Sequence, residues 1–174
     1  ENQIGGIVPD EELLASSYVH FCGMPLALVV AETEEAARAA VKKVKVTIEP
    51  LPVITDPREA KEKGELIIPP RTFRLGDTSS VWKDCDHIIE GRTETNGQEH
   101  LYIETQGAYA VPQENGAIRI YSSTQGPTAV QRTAARVLAI PMNQIEVDTT
   151  RLGGGFGGKE DQATTWGGMC ALAA

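Results

Sequence analysis

The chain has 174 residues, of which 41% are hydrophobic and 23% are charged, a composition typical of a soluble globular protein and unlike that of a disordered or fibrous one. Its net charge of −8 is evenly divided, because residues 1–77 and residues 78–174 each have four more acids than bases, which leaves no basic face for a nucleic acid. No apolar run reaches the roughly 18 residues that a membrane-spanning helix needs, so neither nucleic acid nor membrane is expected as a partner.

The first half of the chain is predicted to alternate strands and helices. Residues 26–31, LALVVA, form a short apolar run typical of a buried strand, and Thr33 can cap the helix predicted by EEAARAAVKKV. The alternating residues 44–51, VKVTIEPL, predict a second strand. DPREAKEKG, residues 56–64, has a capping acid, a proline at the first helical position, a capping-box glutamate and a terminal glycine, so it predicts a second helix. A proline-containing connector then predicts a domain boundary near residues 71–78.

The second half is predicted to open with a short helix at 79–85, SSVWKDC, and then to be rich in strands. Two Asn-Gly pairs, Asn96-Gly97 and Asn115-Gly116, are typical of hairpin turns. GPTAVQRTAARVLAIP predicts an amphipathic helix, NQIEVDTTRL a strand, and KEDQATTWGGMCALAA the beginning of another helix. The residues on the apolar face of the first of these helices are Val130, Ala134, Val137 and Leu138.

The cysteines indicate the cellular compartment of the protein, and the two ends of the sequence indicate whether it is part of a longer chain. Cys22, Cys85 and Cys170 form no CxxC pair and are odd in number, so we expect reduced, mostly buried thiols in a cytoplasmic protein and no zinc or iron–sulfur site within this chain. The sequence begins without Met, with an acidic segment unlike a signal peptide, and it ends within an apolar segment. We therefore expect a processed chain or a piece of a longer one.

A glycine run, RLGGGFGGKED at 151–161, is predicted to lie between a strand and a helix, where backbone can closely approach a bound group. Gly153, Gly155 and Gly158 satisfy the GxGxxG pattern of dinucleotide-binding loops. However, no clear βαβ unit surrounds the run, and the acid required about 20 residues later would lie beyond residue 174. The dinucleotide interpretation is therefore weak.

The same run fits the skeleton of a phosphate-binding P-loop over residues 153–159. Glu160 stands where a Ser or Thr should hold magnesium, and together with Asp161 it would repel a triphosphate. A plain alternative is a glycine-rich bend packed against protein, with Phe156 in the core. The position between strand and helix favours instead a loop that offers backbone N–H groups and an aromatic edge to a bound group.

The run RLGGGFGGKE resembles the glycine-rich loop of the molybdenum hydroxylases, the family of xanthine dehydrogenase and aldehyde oxidase. GQEHLYIETQGAYAVP and YSSTQGPTAVQRTAARVLAIPMNQIEV resemble segments of that family's molybdenum-cofactor domain. VHFCGMPLALVVAETEEAARAAVKKVKVTIEPLPVI resembles its hammerhead-type α/β domain. The resemblance implies an α+β fold with a hammerhead-like domain over 1–77, followed over 78–174 by the first part of a molybdenum-cofactor-binding domain.

The resemblance assigns expected roles to several residues. Gln125 matches the glutamine that hydrogen-bonds an oxygen ligand of the molybdenum, a role that suits a neutral amide; read alone, it would be a helix-entry residue. Gly155, Phe156 and Gly157 match the loop whose backbone lies beside the metal and the pterin. Gln125 and Phe156 are thus expected near molybdenum without being direct side-chain ligands.

The resemblance also bears on the substrate. Glu160 matches an acid that contacts purine in the xanthine-oxidising branch, where a carboxyl group can bond the polar edge of the ring, although in isolation it would be an N-terminal helix acid. Lys159 is expected to serve loop structure or charge balance. No counterpart of the family's catalytic glutamate lies within these residues, so no catalytic residue is assigned.

The implied protein is the molybdenum-cofactor-binding subunit of a xanthine dehydrogenase-like oxidoreductase, which hydroxylates a purine carbon with oxygen from water. The alternatives are an aldehyde or N-heterocycle hydroxylase of the same family and a non-catalytic scaffold or assembly module. The expected cofactor is molybdenum–molybdopterin, with [2Fe–2S] clusters and FAD on other parts of an oligomeric complex. We expect this chain alone to be inactive.

Overall fold

The computed structural model describes all residues from 1 to 174. Two compact units are present: one combines Glu1–Val44 with Gln98–Ala174, and the other is Lys45–Gly97. The structure contains five α-helices and one three-stranded sheet, which is the α+β class expected from the sequence. The division between residues 77 and 78 stays a prediction.

The first three helices follow their local signals. Helix α1 spans Glu34–Val41, and the Thr33 side chain accepts a hydrogen bond from the backbone N–H of Ala36. Helix α2 spans Pro57–Lys63; it is capped by Asp56 and ends at Gly64, whose φ of 74° places it in the left-handed region. Helix α3 spans Thr78–Val81 and continues into a 3-10 turn at Trp82–Asp84.

The sheet lies in the first unit. Strand β1, Ala108–Pro112, pairs antiparallel with strand β2, Ile118–Ser122, and strand β3, Ile145–Asp148, pairs parallel with β2. The predicted Asn115-Gly116 turn is confirmed, since both residues have positive φ and lie in the 3-10 turn Glu114–Gly116 between β1 and β2.

Two helices cover this sheet. Helix α4, Pro127–Leu138, connects β2 to the 3-10 turn Met142–Gln144 that precedes β3, and helix α5 spans Gln162–Ala173. The core between the helices and the sheet consists of Ile120, Val130, Ala134, Ala135, Ile145, Ala163 and Ala171. A second cluster packs the N-terminal segment against α4 and α5 through Ile4, Leu13, Val137 and Met169. None of the helices is long and apolar enough to cross a membrane.

Two strand predictions and one hairpin-turn prediction are wrong. Residues 26–31 and 44–51 have no hydrogen-bonded neighbouring strand, and Val30 and Ile48 are exposed, so these runs are neither strands nor buried. Asn96-Gly97 likewise joins no pair of strands. A strand is stabilised by its neighbour and by burial of one face, and residue pattern alone supplies neither.

The cysteines form no disulfide, and the prediction that they are mostly buried is wrong. Cys22 and Cys85 are exposed, and only Cys170 is half-buried. Burial raises the pKa of the Cys170 thiol, which donates to the carbonyl of Ala108 on β1. The expectation failed because Cys22 and Cys85 lie in irregular segments outside both core clusters.

Candidate functional site

The glycine run forms a tight loop between β3 and α5. Gly154 and Gly157 have φ values of 99° and 90°, a region that glycine enters without steric cost. Phe156 has a φ of 51°, which is uncommon for a bulky residue and marks an over-determined backbone. The loop is therefore held in its shape by contacts with other segments.

Gln125 provides the first of these contacts. Its side-chain Oε1 accepts hydrogen bonds from the backbone N–H groups of Gly157 (3.0 Å) and Lys159 (3.2 Å). Its own backbone N–H donates to the carbonyl of Lys159 at 2.9 Å. A Cβ at Gly155 would lie 2.7 Å from Cδ of Gln125, so only glycine allows this approach. The carboxamide is thus fixed by its oxygen, and its Nε2 donates to no acceptor in the protein.

Lys159 and Glu104 form a second layer of contacts. The Lys159 side chain is 0% exposed, and its Nζ donates to Oε2 of Glu104 (2.9 Å) and to Oγ of Ser123 (2.6 Å). Hydrogen bonds from the Ser123 hydroxyl, the Lys159 ammonium and the Gly153 N–H lower the pKa of Glu104 to about 2. The Glu104 carboxylate is therefore charged at neutral pH and balances the buried lysine.

A third set of contacts surrounds Gly158. A Cβ at this position would lie 2.7 Å from Cε1 of Tyr102 and 2.9 Å from Cγ of His100, so the backbone passes closely under both rings. Nε2 of Gln106 donates to the Gly158 carbonyl at 3.1 Å and to the Tyr102 hydroxyl at 2.9 Å. The segment before β1 thus packs along the loop.

The structure brings the predicted site residues together. Gln125 lies against Gly155 and Gly157 as described, and Gly155 is buried beneath it. Phe156 is 75% exposed, so the alternative in which it fills the core is wrong. Glu160 is exposed and its carboxylate has no hydrogen-bonding partner in the protein. Its backbone carbonyl faces Gly126, next to Gln125, at 3.3 Å from an ideal Cβ position.

Several free polar groups of the loop are hydrogen-bond donors. Besides Nε2 of Gln125, the backbone N–H groups of Gly154, Gly155 and Phe156 donate to no acceptor in the protein. Neutral donors of this kind suit a ligand that offers oxygen acceptors, such as oxygen atoms on molybdenum or on a phosphate-bearing pterin. These residues fit a molybdenum cofactor held by hydrogen bonds, without direct side-chain ligation of the metal.

Sequence reasoning missed the segment that supports the loop. Tyr102, Glu104 and Gln106 alternate with exposed residues, so their side chains share one half-buried face. Such a face with three polar side chains is a signal for a polar partner, but the sequence does not identify the partner. Lys159 was expected to serve loop structure or charge balance, and its contacts agree with both roles.

Comparisons with known proteins cover both parts of the chain. The family model described as "Molybdopterin cofactor-binding domain" matches residues 59–174. The family model described as "Aldehyde oxidase and xanthine dehydrogenase, a/b hammerhead domain" matches residues 1–52.

Individual relatives agree with these matches. Xanthine dehydrogenase of Emericella nidulans is 42% identical over 95% of this chain and 12% of its own length. Aldehyde oxidase 2 of Cavia porcellus is 38% identical over 95% of this chain and 12% of its own length. The chain thus spans about an eighth of the length of these relatives.

The fold is also found in a solved structure. Quinoline 2-oxidoreductase from Pseudomonas putida 86 superposes with a TM-score of 0.75 and 26% identity, over 94% of this chain and 22% of that one. The sequence matches, the fold and the free N–H donors of the glycine loop all indicate the same family. The chain therefore belongs to the aldehyde oxidase and xanthine dehydrogenase family of molybdenum hydroxylases, and it contains a match to that family's molybdopterin cofactor-binding domain.

Proposed function

We propose that the chain is part of the molybdenum-cofactor-binding subunit of a xanthine dehydrogenase-like oxidoreductase, which hydroxylates a purine carbon with oxygen from water. Residues 1–77 would form the hammerhead-like domain, and residues 78–174 the first part of the cofactor-binding domain. The observation that carries the proposal is the Gln125 carboxamide, whose oxygen is fixed by two loop N–H groups while its nitrogen stays free to donate.

In this proposal Nε2 of Gln125 would hold the cofactor by a hydrogen bond to an oxygen atom, together with the free N–H groups of Gly155 and Phe156. When bound, the molybdenum cofactor supplies Lewis-acid activation and a two-electron acceptor. Phe156 would lie beside the centre through its backbone and its exposed ring. Gly157 donates to Oε1 of Gln125 and so helps to orient the carboxamide. Because the protein already holds the loop donors in place, the loop would need little reorganisation when the cofactor binds.

Glu160 is proposed to contact the substrate. Its carboxylate is exposed, has no partner in the protein and directly follows the fixed Lys159. A free carboxylate can accept hydrogen bonds from the N–H groups of a purine, and leaving it unpaired disfavours a substrate without such groups. This contact would make the site selective for purine over aldehyde.

Two alternatives remain as candidate functions. An aldehyde or N-heterocycle hydroxylase of the same family is favoured by the names of two similar proteins, aldehyde oxidase 2 and quinoline 2-oxidoreductase. A non-catalytic scaffold would keep the loop without turnover. In either catalytic case the proposed partners are the remainder of the subunit, iron–sulfur and flavin domains or subunits, and further copies in an oligomer.

The test is metal analysis and substrate profiling of the full-length gene product, purified from its native host. About one molybdenum per chain together with oxidation of xanthine, and little oxidation of benzaldehyde or quinoline, is the expected result. Molybdenum with turnover of only aldehyde or quinoline would support the first alternative. A folded protein without molybdenum would contradict both catalytic proposals and leave the scaffold.

A further inference from the structure

A completely buried lysine, Lys159, lies at the end of the glycine-rich loop. Lysine side chains are rarely buried as completely as that of Lys159, because an ammonium group that is removed from water needs a partner in the protein. Here Nζ donates to Glu104 and Ser123 and lies 4.6 Å from the ring centroid of Tyr102. The charge is thus fully compensated by the segment before β1 and by the residue that follows β2.

One carboxylate oxygen joins both ends of the loop. Oε2 of Glu104 accepts from the backbone N–H of Gly153 at 2.8 Å, where the loop begins, and from Nζ of Lys159 at 2.9 Å, where it ends. The Ser123 hydroxyl donates to the same oxygen at 2.7 Å. A Cβ at Gly153 would lie 2.6 Å from Cβ of Glu104, so this closure needs glycine.

The backbone of Lys159 is hydrogen-bonded to Gln125. The Lys159 N–H donates to Oε1 of Gln125 at 3.2 Å, and its carbonyl accepts from the Gln125 N–H at 2.9 Å and from the Thr124 hydroxyl at 3.2 Å. A shift of Lys159 would therefore break the contacts that orient the Gln125 carboxamide. The ion pair and the amide are two ends of one connected network.

We propose that Lys159 and Glu104 are positioning residues that clamp the glycine-rich loop, so that Gln125 presents its free Nε2 to the molybdenum cofactor. Lys159 does not touch the cofactor or the substrate in this role, because its side chain is enclosed by protein. This inference rests on the proposed function for the identity of the ligand, but the clamp itself is a property of the protein alone.

Variants of Lys159 and Glu104 can distinguish a positioning role from a purely stabilising role. Replacing both partners of a buried ion pair by apolar groups often leaves stability unchanged, whereas removing one partner leaves the other charge without compensation. Lys159→Met keeps the length and burial of the side chain and removes its charge. Glu104→Gln keeps the shape of a side chain that is 40% exposed and weakens its hold on both loop ends. Both variants should fold and should loosen the loop.

The experiment measures two quantities on the full-length protein and both variants: amide hydrogen exchange of each residue and molybdenum content. The amides of Gly157 and Lys159 donate to Gln125, so their exchange reports the clamp directly. We expect at least about tenfold faster exchange at these two amides, unchanged exchange within α4, and a loss of at least about threefold in molybdenum content. Lys63→Met is the matched control, because Nζ of Lys63 also pairs with a glutamate, Glu59 at 2.6 Å, but on the surface.

Unchanged exchange at the two amides in either variant would overturn the proposal. So would an equal rise of exchange throughout α4, the loop and α5 in both variants, because that pattern indicates general destabilisation and not positioning. If the wild-type protein held no molybdenum, the proposed function would fail, whereas the exchange data would still decide whether the clamp exists.

Discussion

The two compact units of this chain differ in what holds them together. The unit that contains the glycine-rich loop has a sheet covered by two helices, and Ile120 and Val130 in its core are completely buried. The Lys45–Gly97 unit has two capped helices but no strand and no buried residue, and Ile67 is 96% exposed. Helix caps act within a few residues, whereas sheets and buried sites need partners distant in the sequence.

The proposed function places the chemistry in the first unit alone, and Gln125→Glu is the most severe test of that division. The variant keeps the oxygen that accepts from Gly157 and Lys159, but it replaces the free N–H donor with a negative oxygen. We expect activity or molybdenum retention of the full-length protein to fall by about 10–100-fold, the usual cost of losing a group that orients a metal centre. The measurements are kcat, metal content and the EPR spectrum of molybdenum.

The matched control for this variant lies in the other unit. Asn96→Asp makes the same amide-to-acid change at an exposed position of Lys45–Gly97 and should leave all three measurements unchanged. Equal losses in both variants would mean that added charge, and not the donor at Gln125, is responsible.

The contrast between the units also explains which features could be predicted from sequence. Asp56, Pro57 and Gly64 act within one short segment, so helix α2 was predictable from its caps. Asn115-Gly116 and Asn96-Gly97 are identical pairs, yet only the first joins two strands, because β2 contributes Ile120 to a core built from distant residues. The pair alone does not reveal whether such a core exists.

The candidate site was predictable only in part for the same reason. Gln125 and the glycine loop were both identified by the family resemblance. They lie more than 25 residues apart in the sequence, and the structure brings them into contact. The partner of Lys159 was not predictable, because Glu104 is 55 residues away and nothing local marks the lysine as buried. Family likeness transfers a site residue by residue, but the packing behind it must be observed.

The selectivity proposed for Glu160 gives the next largest expected effect. Glu160→Val in the full-length protein should lower kcat/KM for xanthine by roughly 10–100-fold while leaving that for benzaldehyde equal or higher, because only the purine offers N–H groups to the carboxylate. Steady-state rates with both substrates measure the ratio. Glu62→Val removes an exposed glutamate from the other unit and should change neither rate. If the xanthine rate survives Glu160→Val, the carboxylate does not set the substrate.

The core of the first unit can be tested by a change of one methyl group. A Cβ at Gly167 would lie 2.5 Å from Cγ1 of Val130, whereas a Cβ at Gly168 would meet its nearest neighbours at 3.4 Å. Gly167→Ala should therefore lower the free energy of unfolding by about 1–3 kcal/mol, and Gly168→Ala should have a smaller effect. Denaturant unfolding of the two variants measures the difference.

A compensating change identifies the cause of that loss. In the double variant Gly167→Ala/Val130→Ala, the space left by the valine should accommodate the new methyl group, so the two losses should not add. Strict additivity would show that α4 and α5 do not contact each other as closely as the structure indicates.

The smallest expected effect belongs to the Lys45–Gly97 unit, where local signals carry the structure. Asp56 accepts from the backbone N–H of Arg58 at 2.7 Å and caps α2. Asp56→Ala should speed hydrogen exchange in the first turn of α2 by about fivefold, since a lost cap costs about 1 kcal/mol of helix stability. Asp56→Asn keeps an acceptor at the same atom and should leave exchange nearly unchanged.

Exchange in the first unit should not respond to either variant, because the cap acts only on its own helix. A response of α4 amides to Asp56→Ala would show that the two units are energetically coupled and that the contrast between them is incomplete.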